Sequence, residues 1–264
     1  MTFSTPTLKF GEILDACQKY GYEGFEPRIS AGHAHGIEPE TGNAELRELK
    51  AKAESRGVGF SCVATSISYV NGKTDAQNIA ETEKAIDLAN TLGSKCIRVF
   101  GGQMTEINGY RPAQERVICS LRSVSSYARD AGVFVCMETH DSWCSAARVK
   151  TVMKAVNRPY IAVNWDIMHP VNTESYEMTD AFDLLKPWIR HVHIHDGVRQ
   201  DTNSPDLSFC PIGEGEIDHR IALLLLRDCG YEGYVSGEWI NWPDPWEVHL
   251  PREIQTIRDI LSGM

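Results

Sequence analysis

The stretch Gly21-Tyr22-Glu23-Gly24 recurs near the end of the chain as Gly230-Tyr231-Glu232-Gly233. In both places an amphipathic run ends at a glycine and an apolar segment follows at once. This is the pattern of a helix that ends in a left-handed glycine before a strand. The same junction occurs at Gly57, Gly93 and Gly132, and other helix breakers stand in equivalent places at residues 157–159 and 186–188. Seven such junctions predict eight strands.

The eight predicted strands alternate with segments of helical periodicity along the chain. They cover residues 2–5, 22–28, 59–65, 96–100, 133–140, 161–166, 190–196 and 234–240. Strict alternation over roughly 250 residues is typical of an eight-stranded barrel. We therefore predict an α/β fold, a single (β/α)8 TIM barrel that forms one domain over residues 1–264. A doubly wound open sheet is the alternative, but no glycine-rich phosphate turn follows the first predicted strand.

The composition limits the kind of partner that the chain can have. The 26 Lys and Arg residues stand against 36 Asp and Glu residues, and no basic cluster could grip the phosphates of a nucleic acid. No apolar stretch approaches the roughly 18–20 residues of a membrane span, and the first ten residues are too polar for a signal sequence. The eight cysteines form no CxxC pair. We expect a cytoplasmic protein with reduced cysteines and no nucleic-acid or membrane partner.

Polar side chains share one face of four consecutive predicted strands. In residues 190–196, Val192 and Ile194 lie on one face, whereas three histidines lie on the other. Alternate residues of a barrel strand point into the lumen, and active sites lie at the C-terminal ends of the strands. The residues expected there are Glu138, Asp166, one of His191, His193 and His195, and Glu238.

Three carboxylates buried together repel one another unless a cation compensates their charge. A donor set of two Glu, one Asp and one His, without cysteine, suits a hard or borderline divalent metal ion. The simpler alternative is that each of these residues is an ion-paired rim residue. We expect one divalent metal ion, with Mn²⁺ foremost and Mg²⁺, Co²⁺ and Zn²⁺ as alternatives.

Five segments of the chain resemble the sugar phosphate isomerase/epimerase family. They are residues 135–140 (VCMETH), 163–169 (VNWDIMH), 192–196 (VHIHD), 213–217 (GEGEI) and 230–239 (GYEGYVSGEW). This xylose-isomerase-like barrel superfamily includes ketose 3-epimerases, hydroxypyruvate isomerases and inosose dehydratases. The resemblance implies that the metal ligands are Glu138, Asp166, His193 and Glu238. His193 is chosen among the three histidines because the family ligand stands three residues before the Asp that ends the strand.

The resemblance also implies a reaction, the isomerisation or epimerisation of a keto sugar or related polyol. Glu138 and Glu238 would be the catalytic pair: one removes the proton next to the carbonyl, giving a metal-bound cis-enediolate, and the other returns it on the opposite face. The main alternative is a metal-dependent lyase, a dehydratase or decarboxylase acting on a keto sugar or inosose. A non-catalytic sugar-binding barrel is a further alternative. The sequence leaves open whether the chain forms a homodimer or a homotetramer.

Apurinic endonucleases, which belong to the same superfamily and hold three zinc ions, are another alternative. They carry histidines at the ends of the third and fourth strands, whereas residues 99–102 here read Val-Phe-Gly-Gly. They also carry an Asp-x-His before an Ile-Gly-x-Gly turn, where this chain has Leu207 and Phe209. The missing ligands disfavour a nuclease.

Seven further side chains are predicted to bind substrate. His169 and Arg199 match family positions that contact substrate, and His140 shares a strand face with Glu138. Trp143 could stack on a sugar ring. The loop after the second strand is expected to close over the site with Glu26, His33 and His35. The segment 200–211 lengthens another loop and is the expected specificity element or oligomer contact.

Overall fold

The computed structural model describes residues 1–105, 109–174, 176–199 and 207–264. The helices are α1 (Phe10–Tyr20), α2 (Asn43–Ser55), α3 (Asp75–Leu92), α4 (Tyr110–Ala131), α5 (Ala146–Val156), α6 (Met168–Glu174), α7 (Met178–Leu185), α8 (His219–Asp228) and α9 (Trp246–Ser262). The strands are β1 (Gly24–Phe25), β2 (Gly59–Phe60), β3 (Val63–Ser68), β4 (Cys96–Phe100), β5 (Phe134–Glu138), β6 (Ile161–Asp166), β7 (Ile189–Ile194), β8 (Asp196–Arg199), β9 (Leu207–Cys210) and β10 (Val235–Gly237). Among these helices, none is long and apolar enough to cross a membrane.

The strands form a curled parallel sheet with helices alternating along the chain. Six strands pair in the order β10-β7-β6-β5-β4-β3, β1 pairs with β2 in parallel, and a parallel bridge joins the chain after β1 to β3. The first residues close the ring between β10 and β1. The Met1 ammonium donates to the carbonyl of Gly237 at 2.8 Å, and the Thr2 N–H donates to the carbonyl of Glu26 at 2.9 Å. The predicted α/β barrel is confirmed.

The first predicted strand is wrong in its local conformation, because Thr2–Ser4 form a 3-10 helix. The side-chain oxygen of Thr2 accepts the backbone N–H of Arg28 at 2.9 Å. A threonine hydroxyl that takes a backbone N–H in this way substitutes for a rung of the sheet ladder. The segment therefore closes the barrel through single hydrogen bonds, without forming a regular strand.

The helices end where the junctions predict. Gly93 follows α3 with φ 83° and Gly132 follows α4 with φ 68°, and both lie in the left-handed region. The N-terminus of α3 is held by a capping box in which Thr74 and Gln77 exchange hydrogen bonds. Such end signals set where each strand begins, and so which of its residues reach the C-terminal end of the barrel.

The lumen changes from small thiols to charged groups along the strands. Its N-terminal end holds a buried cluster formed by Cys62, Cys96, Cys136 and Ala162. The eight cysteines form no disulfide in the structure. Because alternate strand residues share a face, two residues further along β4 and β5 come Arg98 and Glu138. The outward faces of the strands pack against the helices in the main hydrophobic core. The charged side chains of the strands therefore lie on the inward face, in the C-terminal half of the lumen.

Asp196, at the start of β8, ties down the glycine-rich turn that precedes α8. Its buried carboxylate accepts hydrogen bonds at 2.9–3.1 Å from the backbone N–H groups of Gly197, Gly213, Gly215 and Ile217. A Cβ on Gly215 would collide with this carboxylate and with the carbonyl of Gly197. Gly215 therefore allows the backbone to approach Asp196 closely.

We expect Asp196→Asn to lower the free energy of unfolding by about 2–3 kcal/mol. An amide offers one acceptor oxygen in place of two, and its NH₂ group turns donors toward backbone donors. Urea denaturation measures the effect. Asp218→Asn is the matched control, because Asp218 caps α8 by accepting the N–H of Ile221 at 3.0 Å and Asn caps helices equally well, with a change within about 0.5 kcal/mol. An Asp196→Asn protein as stable as the wild type would contradict this role.

Candidate metal centre

Four buried side chains meet at the C-terminal end of the lumen. Glu138 ends β5, Asp166 ends β6, His193 lies in β7 and Glu238 follows β10. The parallel register pairs Asp166 with His193, and places Ser236 of β10 on the other side of the same histidine. Each of the four offers one ligand atom, and these atoms all lie within 4.8 Å of one another. The strand alternation read from the sequence thus brings the four predicted ligands together.

One ring nitrogen of His193 faces two of the carboxylates. Its Nδ1 lies 2.9 Å from Glu138 Oε1 and 3.2 Å from Glu238 Oε2. The four groups are almost wholly withdrawn from solvent, since Glu238 is 5% exposed and the others are 0% exposed. Carboxylates from strands that are not neighbours therefore converge on a single imidazole nitrogen.

Attraction between histidines and carboxylates stabilises the centre when no cation is bound. Burial would lower the pKa of His193, but Glu26, Glu138 and Glu238 outweigh burial and raise the pKa well above its ordinary value. Burial would raise the pKa of Glu238, but mainly His193 lowers it to about 2. The pKa of Asp166 is likewise lowered against burial, by His195 and His169. The histidines around Glu238 and Asp166 thus favour the ionised form of these two carboxylates.

The residues fit a divalent cation. Three carboxylates and one imidazole within 4.8 Å of one another form a donor set suited to a hard or borderline metal ion. Glu138 Oε2 is buried and accepts no hydrogen bond among the described residues, although Arg98 Nε lies 3.3 Å from it. A bound cation would replace the proton of His193 and give this oxygen a partner. Glu138, Asp166, His193 and Glu238 would hold it.

This exchange of a proton for a metal predicts how affinity depends on pH. The raised pKa means that His193 carries an extra proton near neutral pH, so cation binding must release it. Affinity for Zn²⁺ should therefore rise with pH, by roughly tenfold per unit while the pH stays below that pKa. Calorimetric titration of metal-stripped protein, in buffers of different ionisation enthalpy, counts the released protons. Binding that releases none would contradict this picture, and His193→Gln serves as the control without the proton.

Arg98 also belongs to this centre, although it was not among the site residues predicted from the sequence. Its side chain is 1% exposed; Nε lies 3.3 Å from Glu138 Oε2, and Nη2 lies 4.0 Å from Glu238 Oε1. The guanidinium also lies 4.1 Å from the ring centre of Phe100. The alternation of β4, with Ile97 and Val99 outward, was the signal that could have found it. The centre therefore already contains one fixed cation between its two glutamates.

Histidines form one wall of the rim beside Asp166. The ring centres of His140 and His169 are 4.7 Å apart, and those of His169 and His195 are 5.4 Å apart. His195 Nε2 lies 2.7 Å from Asp166 Oδ2, whereas His169 Nε2 lies 3.9 Å from it. Burial would lower the pKa of His140, but mainly the close contact between its Nδ1 and Asp141 Oδ1, 3.0 Å apart, raises the pKa to about 9. His140 and His169 thus lie where the sequence expects substrate contacts, and those roles stay predictions.

Glu26 was predicted to lie in a loop that closes over the site, but the structure places it elsewhere. It is fully buried in the lumen, where Oε2 lies 2.9 Å from His191 Nε2 and both oxygens lie 3.1 Å from His193 Nε2. Burial would raise its pKa, but mainly His193 lowers it well below the ordinary value. The loop prediction failed because the partners of this carboxylate, His191 and His193, lie 165 and 167 positions away in the sequence. These two histidines stabilise the carboxylate in the interior of the barrel.

Two other predicted substrate contacts are buried in the structure. The rings of His35 and Trp143 are buried and already bonded. His35 Nδ1 accepts the N–H of Ile37 at 3.0 Å, and mainly burial lowers its pKa to about 4. Trp143 is 0% exposed and its Nε1 donates to the carbonyl of Gly102 at 2.9 Å. Neither ring has a face open to a sugar.

The remaining predicted contacts lie in peripheral segments. His33 is half-buried, with Nδ1 3.0 Å from the hydroxyl of Thr2. Arg199 lies in β8 and donates to Asn172 Oδ1 at 2.9 Å. The predicted loop 200–211 lies partly outside the described residues, because only its part from residue 207 is described; there β9 pairs antiparallel with β8. The proposed roles of these residues stay predictions.

Comparison with known proteins supports this architecture. The chain matches the family described as "Xylose isomerase-like TIM barrel" over residues 14–260. It is 24% identical to the 3-dehydroshikimate dehydratase of Bacillus anthracis over 205 residues, which cover 73% of this chain and 68% of that protein. It is 23% identical to the fructoselysine 3-epimerase of Shigella flexneri over 233 residues, which cover 84% of this chain and 82% of that protein.

Solved structures share the fold along nearly the whole chain. The probable 3-DHS dehydratase AsbF of Bacillus anthracis superposes with a TM-score of 0.81 and 18% identity, over 97% of each chain. An L-ribulose 3-epimerase gives 0.79 and 16%, over 99% of this chain and 93% of that one. The IOLI protein, solved with a zinc atom, gives 0.78 and 18%, over 99% and 95%. At these identities the likeness shows the fold alone.

Proposed function

The chain belongs to the xylose isomerase-like TIM barrel family, and from that premise we propose that it is a divalent-metal-dependent sugar isomerase or epimerase. The family's relatives include sugar epimerases and a dehydratase. The substrate would be a keto sugar or a related polyol, and Mn²⁺ would be the foremost cation. The reaction would begin with loss of the proton on the carbon next to the carbonyl.

The observation that carries this proposal is the placement of two glutamates. Glu138 and Glu238 come from β5 and from the end of β10, and both reach His193 Nδ1, at 2.9 Å and 3.2 Å. Strands β5 and β10 are separated in the sheet by β6 and β7. The two carboxylates therefore approach the same point from different directions, as two groups must do to exchange a proton across a substrate.

In the proposed reaction one of the two glutamates accepts the proton from carbon, and the other returns a proton to the opposite face of the same carbon. Burial keeps bulk water away from the reacting carbon during the transfer. When bound, a divalent cation polarises the carbonyl and stabilises negative charge on its oxygen. Arg98, with its Nε 3.3 Å from Glu138 Oε2 and its Nη2 4.0 Å from Glu238 Oε1, balances the charge of the two glutamates, while His140 and His169 can hydrogen-bond to substrate hydroxyls.

A dehydratase is the second candidate. The observation that favours it is the 24% identity to a 3-dehydroshikimate dehydratase. Its first step would be the same proton abstraction, after which the neighbouring C–O bond breaks and the hydroxyl leaves as water with a proton from a donor. The rim histidines beside Asp166 are the donors available for that step.

Product analysis separates these candidates. Manganese-loaded protein is incubated in D₂O with keto sugars, hydroxypyruvate, inososes and 3-dehydroshikimate, and the products are examined by NMR and mass spectrometry. Epimerase or isomerase activity gives a product of unchanged composition that carries deuterium, whereas a dehydratase gives a product lighter by one water. A non-catalytic sugar-binding barrel gives neither, and that result over the whole panel would contradict the proposal.

A further inference from the structure

Beneath the metal centre, Glu26 joins His193 to a second histidine. Both carboxylate oxygens of Glu26 lie 3.1 Å from His193 Nε2, and Oε2 also lies 2.9 Å from His191 Nε2. Glu26 and His193 are 0% exposed and His191 is 1% exposed. Water therefore cannot take the place of any of these partners.

The direction of these bonds decides which nitrogen of His193 faces the metal centre. The ring approaches both oxygens of Glu26 equally, which suits one N–H shared between two acceptors. A proton on Nε2 leaves Nδ1 as the nitrogen with a free lone pair in the neutral ring. Nδ1 is the atom that lies 2.9 Å from Glu138 Oε1. The hydrogen bond from Nε2 of His193 to Glu26 thus leaves the lone pair of Nδ1 free to bind a metal ion.

We propose that Glu26, braced by His191, is a positioning residue that holds His193 with its proton on Nε2 and its Nδ1 presented to the metal ion. Carboxylates that accept the outer N–H of a ligating histidine fix the orientation of the ring and strengthen it as a ligand. His191 contributes through Glu26, because its second nitrogen, Nδ1, has no hydrogen-bond partner in the part of the chain that the structure describes. The inference rests on the metal centre of the proposed function and is independent of the reaction.

Metal affinity tests the proposal without any activity measurement. Glu26→Gln keeps the shape of the side chain but removes the charge and one acceptor oxygen. We expect it to weaken Zn²⁺ binding by about 10- to 100-fold, measured by competition with a chromophoric chelator on folded protein. Glu253→Gln is the matched control: Glu253 is also 0% exposed, but it is bonded to the N–H of Ile212 and to Arg252. Its affinity for Zn²⁺ should stay within about twofold of the wild type.

Two outcomes of this titration would overturn the proposal. One is zinc affinity in Glu26→Gln within about twofold of the wild type; the other is an equal loss in Glu26→Gln and Glu253→Gln. A wild-type protein that binds no zinc would overturn the metal centre and the inference together. Zinc binding that depends on Glu26 in a protein that moves no substrate proton would support the inference while the proposed reaction failed.

A measurement on the wild type keeps the proposal testable even if Glu26→Gln does not fold. In zinc-loaded, nitrogen-labelled protein, NMR correlation of ring nitrogens with ring protons reports which nitrogen of His193 is protonated. We expect a proton on Nε2 and none on Nδ1, with the signals assigned by their absence in His193→Gln. A protonated Nδ1 in the zinc-loaded protein would overturn the proposal, since a purely structural Glu26 does not dictate this pattern.

Discussion

Glu238→Gln is expected to lower the rate of substrate proton exchange by about 100- to 10,000-fold, even at saturating cation. The amide keeps an oxygen that can approach the metal ion, but it cannot accept or return a proton near neutral pH. Glu138→Gln should lose a similar factor, because in the proposed reaction each glutamate serves one face of the substrate carbon. The effect is measured by steady-state kinetics in D₂O on the substrate that the product analysis identifies. The metal content of each variant is measured alongside.

The control for this pair is Glu253→Gln, which removes a buried carboxylate outside the centre and should leave the rate within about twofold of the wild type. Metal content distinguishes a lost base from a lost ligand. A variant that holds its cation and still exchanges substrate protons at the wild-type rate would remove that glutamate from the mechanism.

Arg98→Met is expected to destabilise the metal-stripped protein by about 3–5 kcal/mol, because it leaves Glu138 and Glu238 without their fixed cation. A bound divalent cation supplies positive charge at the same carboxylates, so the loss should be much smaller in metal-loaded protein. By linkage, the variant should also bind the cation more tightly than the wild type. Urea denaturation of both forms, with and without chelator, measures the difference.

Arg56→Met is the surface control, since Arg56 pairs with Asp15 at an exposed position and such pairs contribute less than about 1 kcal/mol. The prediction would be contradicted if Arg98→Met lowered the free energy of unfolding equally in metal-stripped and metal-loaded protein. The guanidinium and the metal ion would then not interact with the same carboxylates. The prediction joins the two features of the centre, a fixed internal cation and a set of donors for a second one.

The sequence predicts the features of this fold that depend on local chemistry. The glycines at 93 and 132 mark helix ends because the left-handed conformation there needs no partner from elsewhere in the chain. Strand alternation at residues 190–196 places His193 in the lumen for the same reason. The barrel follows from such repeated local signals, whereas the family is indicated by the five motif segments.

What the sequence does not predict depends on distant partners. Glu26 and Arg98 look like surface charges in isolation, and their burial makes sense only with His193 and Glu138 beside them. Thr2 satisfies the backbone of Arg28 with its hydroxyl, which no propensity for strand or helix anticipates. Charged groups in a lumen are stabilised as a set, so reading each residue separately misplaces them.

The central claim is that a divalent cation held by Glu138, Asp166, His193 and Glu238 enables proton removal next to a carbonyl. The most direct test is deuterium uptake from D₂O into the substrate, followed by NMR with metal-stripped protein and again after manganese is restored. We predict no uptake without the cation, and uptake at the carbon next to the carbonyl once it is restored. Equal uptake with and without the cation would contradict the claim.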